Sequence, residues 1–369
     1  MSNEMLDNRN LGTSFDFSVH IYEQKGSSLK RGGTIVKQLL EQQYGIVTEE
    51  EVNLGRYKAF KRSDEFYLII PTGNIENEEL SELEKITVHL MNNGDRHVAA
   101  FVQTKEGALT SKWNETNICV LFARHVQPSK RMNPGRKLAK LHYRGRSIPF
   151  QVKKISRIGQ WKQLWETRLD QMERVWKEKL FQQPENEFEK MFLESFPYYM
   201  GLTENAIQYL VDTEMDDEPV ASDGGTVCHE RFSEDLWTSN YYKNPFDWVF
   251  DHSSRDIAEW IRGRYFANIK TYEPDVKQFL NDYQSISPLS SFSWRLLFSR
   301  ILFPLHFYEC VESYYITNSE QQRHMLEDHF LKFLSQSGEY ERFLGSFYQL
   351  AGVPVLKYKI PRPEWLARS

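Results

Sequence analysis

Apolar positions recur at helical spacing from Thr34 to Tyr44, at Ile35, Val36, Leu39, Leu40 and Tyr44, and Gly45 follows as a helix stop. The pattern then shortens to strand length. Gly55–Lys61 and Phe66–Pro71 flank Arg62-Ser63-Asp64-Glu65, which reads as a hairpin turn. Glu78 to Met91 returns to helical spacing, with Leu80, Leu83, Ile86 or Thr87, and Leu90 on one face and Asn93-Gly94 as the stop. His97–Gln103 and Ala108–Trp113 predict a second hairpin around Lys105-Glu106-Gly107. Ile118–Ala123 is continuously apolar, the mark of a central strand. The order helix, two strands, helix, three strands predicts a small sheet packed by one or two helices.

Beyond Pro128 the periods are helical. Gly135–Arg144 carries Leu138, Ala139 and Leu141 inward. Gln160–Phe181 repeats Trp161, Leu164, Trp165, Leu169, Met172, Val175, Trp176 and Leu180 at three and four, and Pro184 ends it. Glu187–Tyr199 and Glu204–Val211 predict two further helices. Asp212–Asp223, with Asp216-Asp217-Glu218, reads as a solvated acidic loop rather than a metal site. Helices are expected at Asp256–Phe266, Asp275–Gln284, Ser293–Tyr314, Ser319–Ser335 and Tyr340–Leu350, and an extended surface strap from Pro354 to Ser369. The fold class is α+β. A polar tail over residues 1–30, with one short strand at Phe15–Tyr22, precedes an α+β lobe at 31–126 and a mainly helical lobe at 127–369.

The chain has 369 residues and a formal net charge of -5, which argues against a nucleic-acid partner, since such proteins carry a basic footprint. Cys119, Cys228 and Cys310 lie far apart with no CxxC pair, so they read as buried free thiols rather than zinc ligands. No secretory leader is evident in residues 1–30, and no run of about 18 apolar residues offers a membrane span.

The richest chemistry lies within residues 226–260. Val227-Cys228-His229-Glu230-Arg231-Phe232 is followed by Phe246-Asp247-Trp248 and then by Arg255-Asp256-Ile257-Ala258. With Tyr44-Gly45-Ile46, Tyr57-Lys58-Ala59-Phe60 and Leu138-Ala139-Lys140-Leu141-His142, this order resembles the aminoglycoside phosphotransferase and choline kinase branch of the kinase-like folds. Within that branch it resembles the CotS-like endospore coat proteins, over roughly residues 33–360. The resemblance implies a two-lobed kinase-like fold with a small sheet-containing lobe and a larger helical lobe.

Residue-by-residue transfer exposes departures. Phosphoryl transfer needs a carboxylate to orient the acceptor hydroxyl, an Asn and an Asp to hold magnesium, and a lysine on the phosphates. His229 keeps its place, but Arg231 stands at the catalytic Asp position, and a guanidinium has no acceptor. Leu236 stands where the Asn would be, five residues on, and cannot ligate magnesium. Asp235 beside it is a possible substitute. Asp247 matches the metal Asp, read here as vestigial, and Asp256 matches a structural position that caps its helix and ties the loop. The strand Phe66–Pro71 carries no lysine. Lys58 or Lys61 on the preceding strand, with Glu79, Glu82 and Glu84 as partners, are candidate substitutes, but exposed strand lysines and a solvated helix face explain them better. The loop Gly26–Gly33 shows no phosphate-cradling pattern.

With base, Asn and lysine all altered, the chain reads as a pseudokinase without a cofactor. The resemblance implies a protein of the mother-cell cytoplasm and then the spore coat, acting in coat assembly through contacts with other coat proteins. The alternative is a small-molecule phosphotransferase, or a nucleotide-binding protein taking Mg-ATP, with an atypical site.

Overall fold

The computed structural model describes residues 33–54, 57–113, 115–124, 133–233, 236 and 242–367. The tail, its strand at 15–22, the loop before Gly33 and Asp235 lie outside the described residues. The chain divides into two compact units, Met1–Ile75 with Ala100–Arg124, and Glu76–Ala99 with His125–Ser369.

The first unit is one helix on an antiparallel sheet. α1 (Gly33–Leu39) runs into a π-helical turn, Leu40–Tyr44, and Gly45 closes it at φ 71°, a left-handed conformation that favours glycine. Six strands follow: β1 (Glu50–Leu54), β2 (Tyr57–Arg62), β3 (Glu65–Pro71), β4 (Ala100–Val102), β5 (Thr110–Trp113) and β6 (Thr116–Arg124). The sheet order is β1-β2-β3-β6-β4, and β5 also pairs with β6. Val36, Leu39, Leu40 and Tyr44 pack with Phe60, Tyr67, Ile69, Ile118 and Val120.

β1 has no counterpart in the sequence reading; pairing with β2 and the Lys58–Glu51 and Lys61–Glu50 ion pairs make its acidic edge tolerable. The hairpin of His97–Gln103 with Ala108–Trp113 does not form. Ala100–Val102 pairs with Phe122–Val120, and Thr110–Trp113 pairs with Cys119–Thr116. The two strands therefore lie in line along one edge of β6. The tight turn Thr104–Ala108 between them is an excursion, not a hairpin loop.

The second unit begins with α2 (Asn77–Asn92), whose buried face is Leu80, Leu83, Ile86, Thr87 and Leu90; the spacing left Ile86 or Thr87 open, and both are buried. α3 (Pro134–Arg146) starts on an Asn133 cap and packs on α2. α4 (Trp161–Leu180) and α5 (Glu187–Asp216) form an antiparallel pair. α5 is a single helix of 30 residues where two were expected, and Pro197 sits inside it. Proline lacks the N–H that would reach the carbonyl of Leu193. Trp176 Nε1 of α4 donates to that carbonyl at 3.0 Å, and the gap expected between Tyr199 and Glu204 is helical as well.

A two-stranded sheet, β7 (Thr226–His229) with β8 (Trp248–Asp251), leads to α6 (Ser254–Ala267) and α7 (Tyr272–Gln284). The helix expected at Ser293–Tyr314 is two, α8 (Ser291–Leu302) and α9 (Leu305–Ile316), because Pro304 ends the first. Every residue from Leu296 to Tyr308 is buried. α10 (Glu320–Ser335) and α11 (Ser337–Leu350) follow. The expected strap instead holds a short helix, α12 (Val355–Tyr358), and a 3-10 turn at Glu364–Ala367. All three cysteines are buried and free. No described helix is long and apolar enough to cross a membrane.

Candidate functional site

The segment 226–260 is built around the close approach of α3 to β7. Gly145 makes this possible: a Cβ there would stand 2.4 Å from Thr226 Oγ1 and 2.6 Å from Val227 N. Thr226 Oγ1 donates to the carbonyl of His142 at 2.7 Å, which fixes the register of helix on strand. His142, Cys228 and Asp256 then meet, all fully buried.

Asp256 is the hub. Its Oδ1 accepts the backbone N–H of His229 at 2.8 Å, and its Oδ2 lies 2.7 Å from His229 Nδ1 and 3.2 Å from His142 Nε2. His142 Nδ1 lies 2.8 Å from the hydroxyl of Tyr283. The network is satisfied when His142 is neutral, donating from Nε2 to the carboxylate and accepting the tyrosine proton at Nδ1. Burial pushes the His142 imidazole down to about 4, against the opposing pull of Asp256. Burial alone would raise the Asp256 carboxyl, but His229 and His142 overcome it and hold the group well below the usual carboxylate range. The Cys228 thiol goes the other way, raised by burial and by the negative Asp256 and Asp251. It is therefore a poor nucleophile.

Asp256 sits in the first turn of α6, where a carboxylate suits the helix dipole. The expected capping bond is not made; both oxygens serve the tie between α6, α3 and the end of β7.

The remaining positions fall differently from the metal-site pattern. Arg231 Nε donates to Glu309 Oε1 at 2.6 Å and its Nη1 to the carbonyl of Glu230 at 3.1 Å. Leu236 is half-buried, with its N–H on the carbonyl of Ser233. Asp247 does not stand in a strand. It closes the 3-10 turn Pro245–Asp247, and its carbonyl accepts the N–H of Glu230 at 2.9 Å.

The carboxylate that ends the strand is Asp251, which sequence reasoning missed. It lies four residues past the Asp247 it resembles, at the close of the run Trp248-Val249-Phe250-Asp251. Asp251 is 1% exposed. Its Oδ2 accepts Trp161 Nε1 at 2.8 Å and Arg255 Nη1 at 2.9 Å, and its Oδ1 accepts the N–H of His252 at 2.7 Å. Arg255 also bonds the carbonyls of His229 and Glu230, so one guanidinium ties both ends of the β7–β8 pair.

The candidate lysine–glutamate partners are also engaged. Lys58 pairs with Glu51 at 2.8 Å and Lys61 with Glu50 at 3.3 Å. Glu82 accepts the backbone N–H groups of Lys153, Lys154 and Ile155 at 2.6, 2.8 and 3.0 Å. Magnesium needs carboxylate oxygens open to it. The oxygens of Asp251 and Asp256 are taken up by protein donors, and Arg231 brings a cation to the segment, while Asp247, the metal Asp of the resemblance, is half-buried at its 3-10 turn.

The family profile described as "Spore coat putative kinase YutH" matches residues 37–347. The chain is 40% identical over 337 residues to the endospore coat-associated protein YutH of Bacillus subtilis (strain 168), covering 91% of this chain and 99% of that one. Among solved structures, an aminoglycoside phosphotransferase from Alicyclobacillus acidocaldarius superposes with a TM-score of 0.64 at 14% identity, over 85% of this chain and 96% of that one. A microcompartment-associated aminopropanol kinase superposes at 0.55 and 14%, over 86% and 98%. The solved structures fix the fold as kinase-like, and the profile and the relative show that the chain belongs to the YutH family of spore coat proteins.

Proposed function

We propose that this chain is a kinase-like protein without phosphotransferase activity that works in the endospore coat, through contacts with other coat proteins. One observation carries the catalytic half of this reading. A guanidinium, Arg231, occupies the position that the resemblance gives to the catalytic Asp, held by Glu309 and the Glu230 carbonyl, while the strand-end carboxylate Asp251 is buried with both oxygens engaged. Positioning and charge stabilisation supply most of phosphoryl-transfer catalysis, and both need oxygens facing the metal. No cofactor is required by this reading. Kinship with the coat-associated relative supports the coat half, with residence in the mother-cell cytoplasm before deposition.

Calorimetric titration of the full chain with ATP and magnesium tests the first half. No heat of binding is expected at millimolar nucleotide. Tight binding, together with turnover on a hydroxyl acceptor that Asp247→Ala or Asp251→Asn abolishes, would overturn it in favour of a phosphotransferase with an atypical site. Fractionation of spores tests the second half, with recovery in the coat fraction expected; recovery only from mother-cell cytosol would refute it.

A further inference from the structure

Charge is segregated along this chain to a degree that its net value hides. From Thr116 to Trp165 there are twelve Lys and Arg and no Asp or Glu. From Met191 to Glu230 there are nine Asp and Glu and no Lys or Arg. Both segments contribute helix faces to the second unit, and those faces are exposed.

The basic face lies on α3. Arg136, Lys140, Tyr143 and Ser147 are exposed at spacings of four, three and four, so they share one side of the helix. No ion pair holds Arg136 or Lys140 among the described residues. Tyr143 is 68% exposed. Beside the end of this stripe, where His89 Nε2 reaches the carbonyl of Arg144 and Ser147 Oγ at 3.1 Å each, lies a groove of about 480 Å³ whose lining joins the apolar Val88, Pro149 and Phe150 to the polar Glu84, Lys85 and His89.

The acidic face is the end of α5 and the turn after it. Glu214, Met215, Asp216, Glu218 and Val220 are exposed, Met215 at 79% and Val220 at 54%. Acidic groups at a helix C-terminus oppose the macrodipole, and the last turn of α5 carries no basic residue to offset them. Within the chain, Arg295 reaches Asp216 at 3.4 Å, and the field of Lys162 bears on Glu214 while Lys162 itself pairs with Glu166. Glu218 has no ion pair among the described residues. α3 packs mainly against α7, β7 and α2, and α5 against α4, α8 and α10, so neither face covers the other.

We propose that these faces dock on each other between copies of this chain. The basic stripe of α3 and the groove beside it on one copy receive the acidic end of α5, with Met215 and Val220, on the next. Charge complementarity selects a second copy as the occupant, because the matching surface is present on the same molecule with both charge and apolar groups. Two different patches make a heterologous contact, which extends into an open chain unless rotation closes it. A coat built by extension has use for that geometry. In this respect the inference deepens the coat reading, although the association itself does not depend on it.

Sedimentation velocity of the full chain tests the proposal, from about 5 to about 200 µM protein, at about 50 mM and about 500 mM salt. Concentration-dependent association is expected at low salt and its loss at high salt, since exposed charges are screened. Arg136→Glu with Lys140→Glu should weaken association at least about tenfold, as should Glu214→Lys with Glu218→Lys. An equimolar mixture of the two double variants should associate again, because each supplies the face the other has reversed. A wild-type chain that stays monomeric at low salt overturns the proposal, even if it captures another acidic or basic protein. So does association insensitive to salt, or a folded variant mixture that remains monomeric. Nucleotide is absent throughout, so a failure here is separate from a failure of the non-catalytic reading.

Discussion

Replacing Asp256 with alanine removes the hub that joins three elements. The carboxylate accepts the backbone N–H of His229 and faces the imidazoles of His229 and His142, both of them buried. Bonds to a charged group contribute about 1.5–3 kcal/mol each, but three bonds on one carboxylate are not additive, and removing the charge relieves its own desolvation. Buried donors left without a partner cost about 1–3 kcal/mol each, and about 3 kcal/mol is expected here, a large share of the ~5–15 kcal/mol that holds a domain folded. Arg231→Ala is the control. Its ion pair with Glu309 is 40% and 43% exposed, so water screens it and the loss should stay below about 1 kcal/mol. Guanidinium titration at pH 7, read by tryptophan fluorescence, measures both; Trp161, bonded to Asp251, is a reporter within the site. An Asp256→Ala loss below about 1 kcal/mol, or one equal to that of Arg231→Ala, would refute the view that the buried hub holds this segment together.

Three further expectations follow from the same geometry. The His142 imidazole titrates near 4 in the folded chain and near 6.5 when exposed, so the unfolded state binds its proton first as pH falls; about 3 kcal/mol of stability should be lost between pH 6.5 and 4. His306, also lowered by burial, adds to the same slope, so the difference between wild type and His142→Gln isolates the effect, and equal slopes would disprove it. Trp176→Phe should cost about 1–2 kcal/mol by unpairing the Leu193 carbonyl, and Pro197→Ala should recover part of that loss in the double variant by restoring the helical N–H; chemical denaturation of all four chains shows whether the pair is coupled. Gly145→Ala should cost at least about 1–3 kcal/mol, because its Cβ would meet Thr226 and the Val227 backbone; a variant with an unchanged melting temperature would contradict the close approach.

The local pattern of apolar residues determined most of the elements. α2 shows its buried face in the sequence because apolar residues at helical spacing leave no other side to bury, although only the structure shows that both Ile86 and Thr87 lie on it. β6 shows itself as central because its apolar run is unbroken and both its neighbours must be strands. The altered chemistry at Arg231 and Leu236 was legible for the same reason, since residue type alone forbids acceptance of a proton or ligation of magnesium. Pairing partners were not legible. β4 and β5 sit in line on β6 instead of on each other, because strand pairing is set by which edge is open, not by the turn between them. Pro197 stays helical because a tryptophan on another helix serves the carbonyl it leaves, whereas Pro304, flanked by the ends of α8 and α9, breaks its run. Asp247 and Asp251 look alike in sequence, four residues apart. Only the fold puts one in a turn and buries the other against Arg255 and Trp161, since burial and bonding are properties of what packs around a side chain and not of the side chain itself.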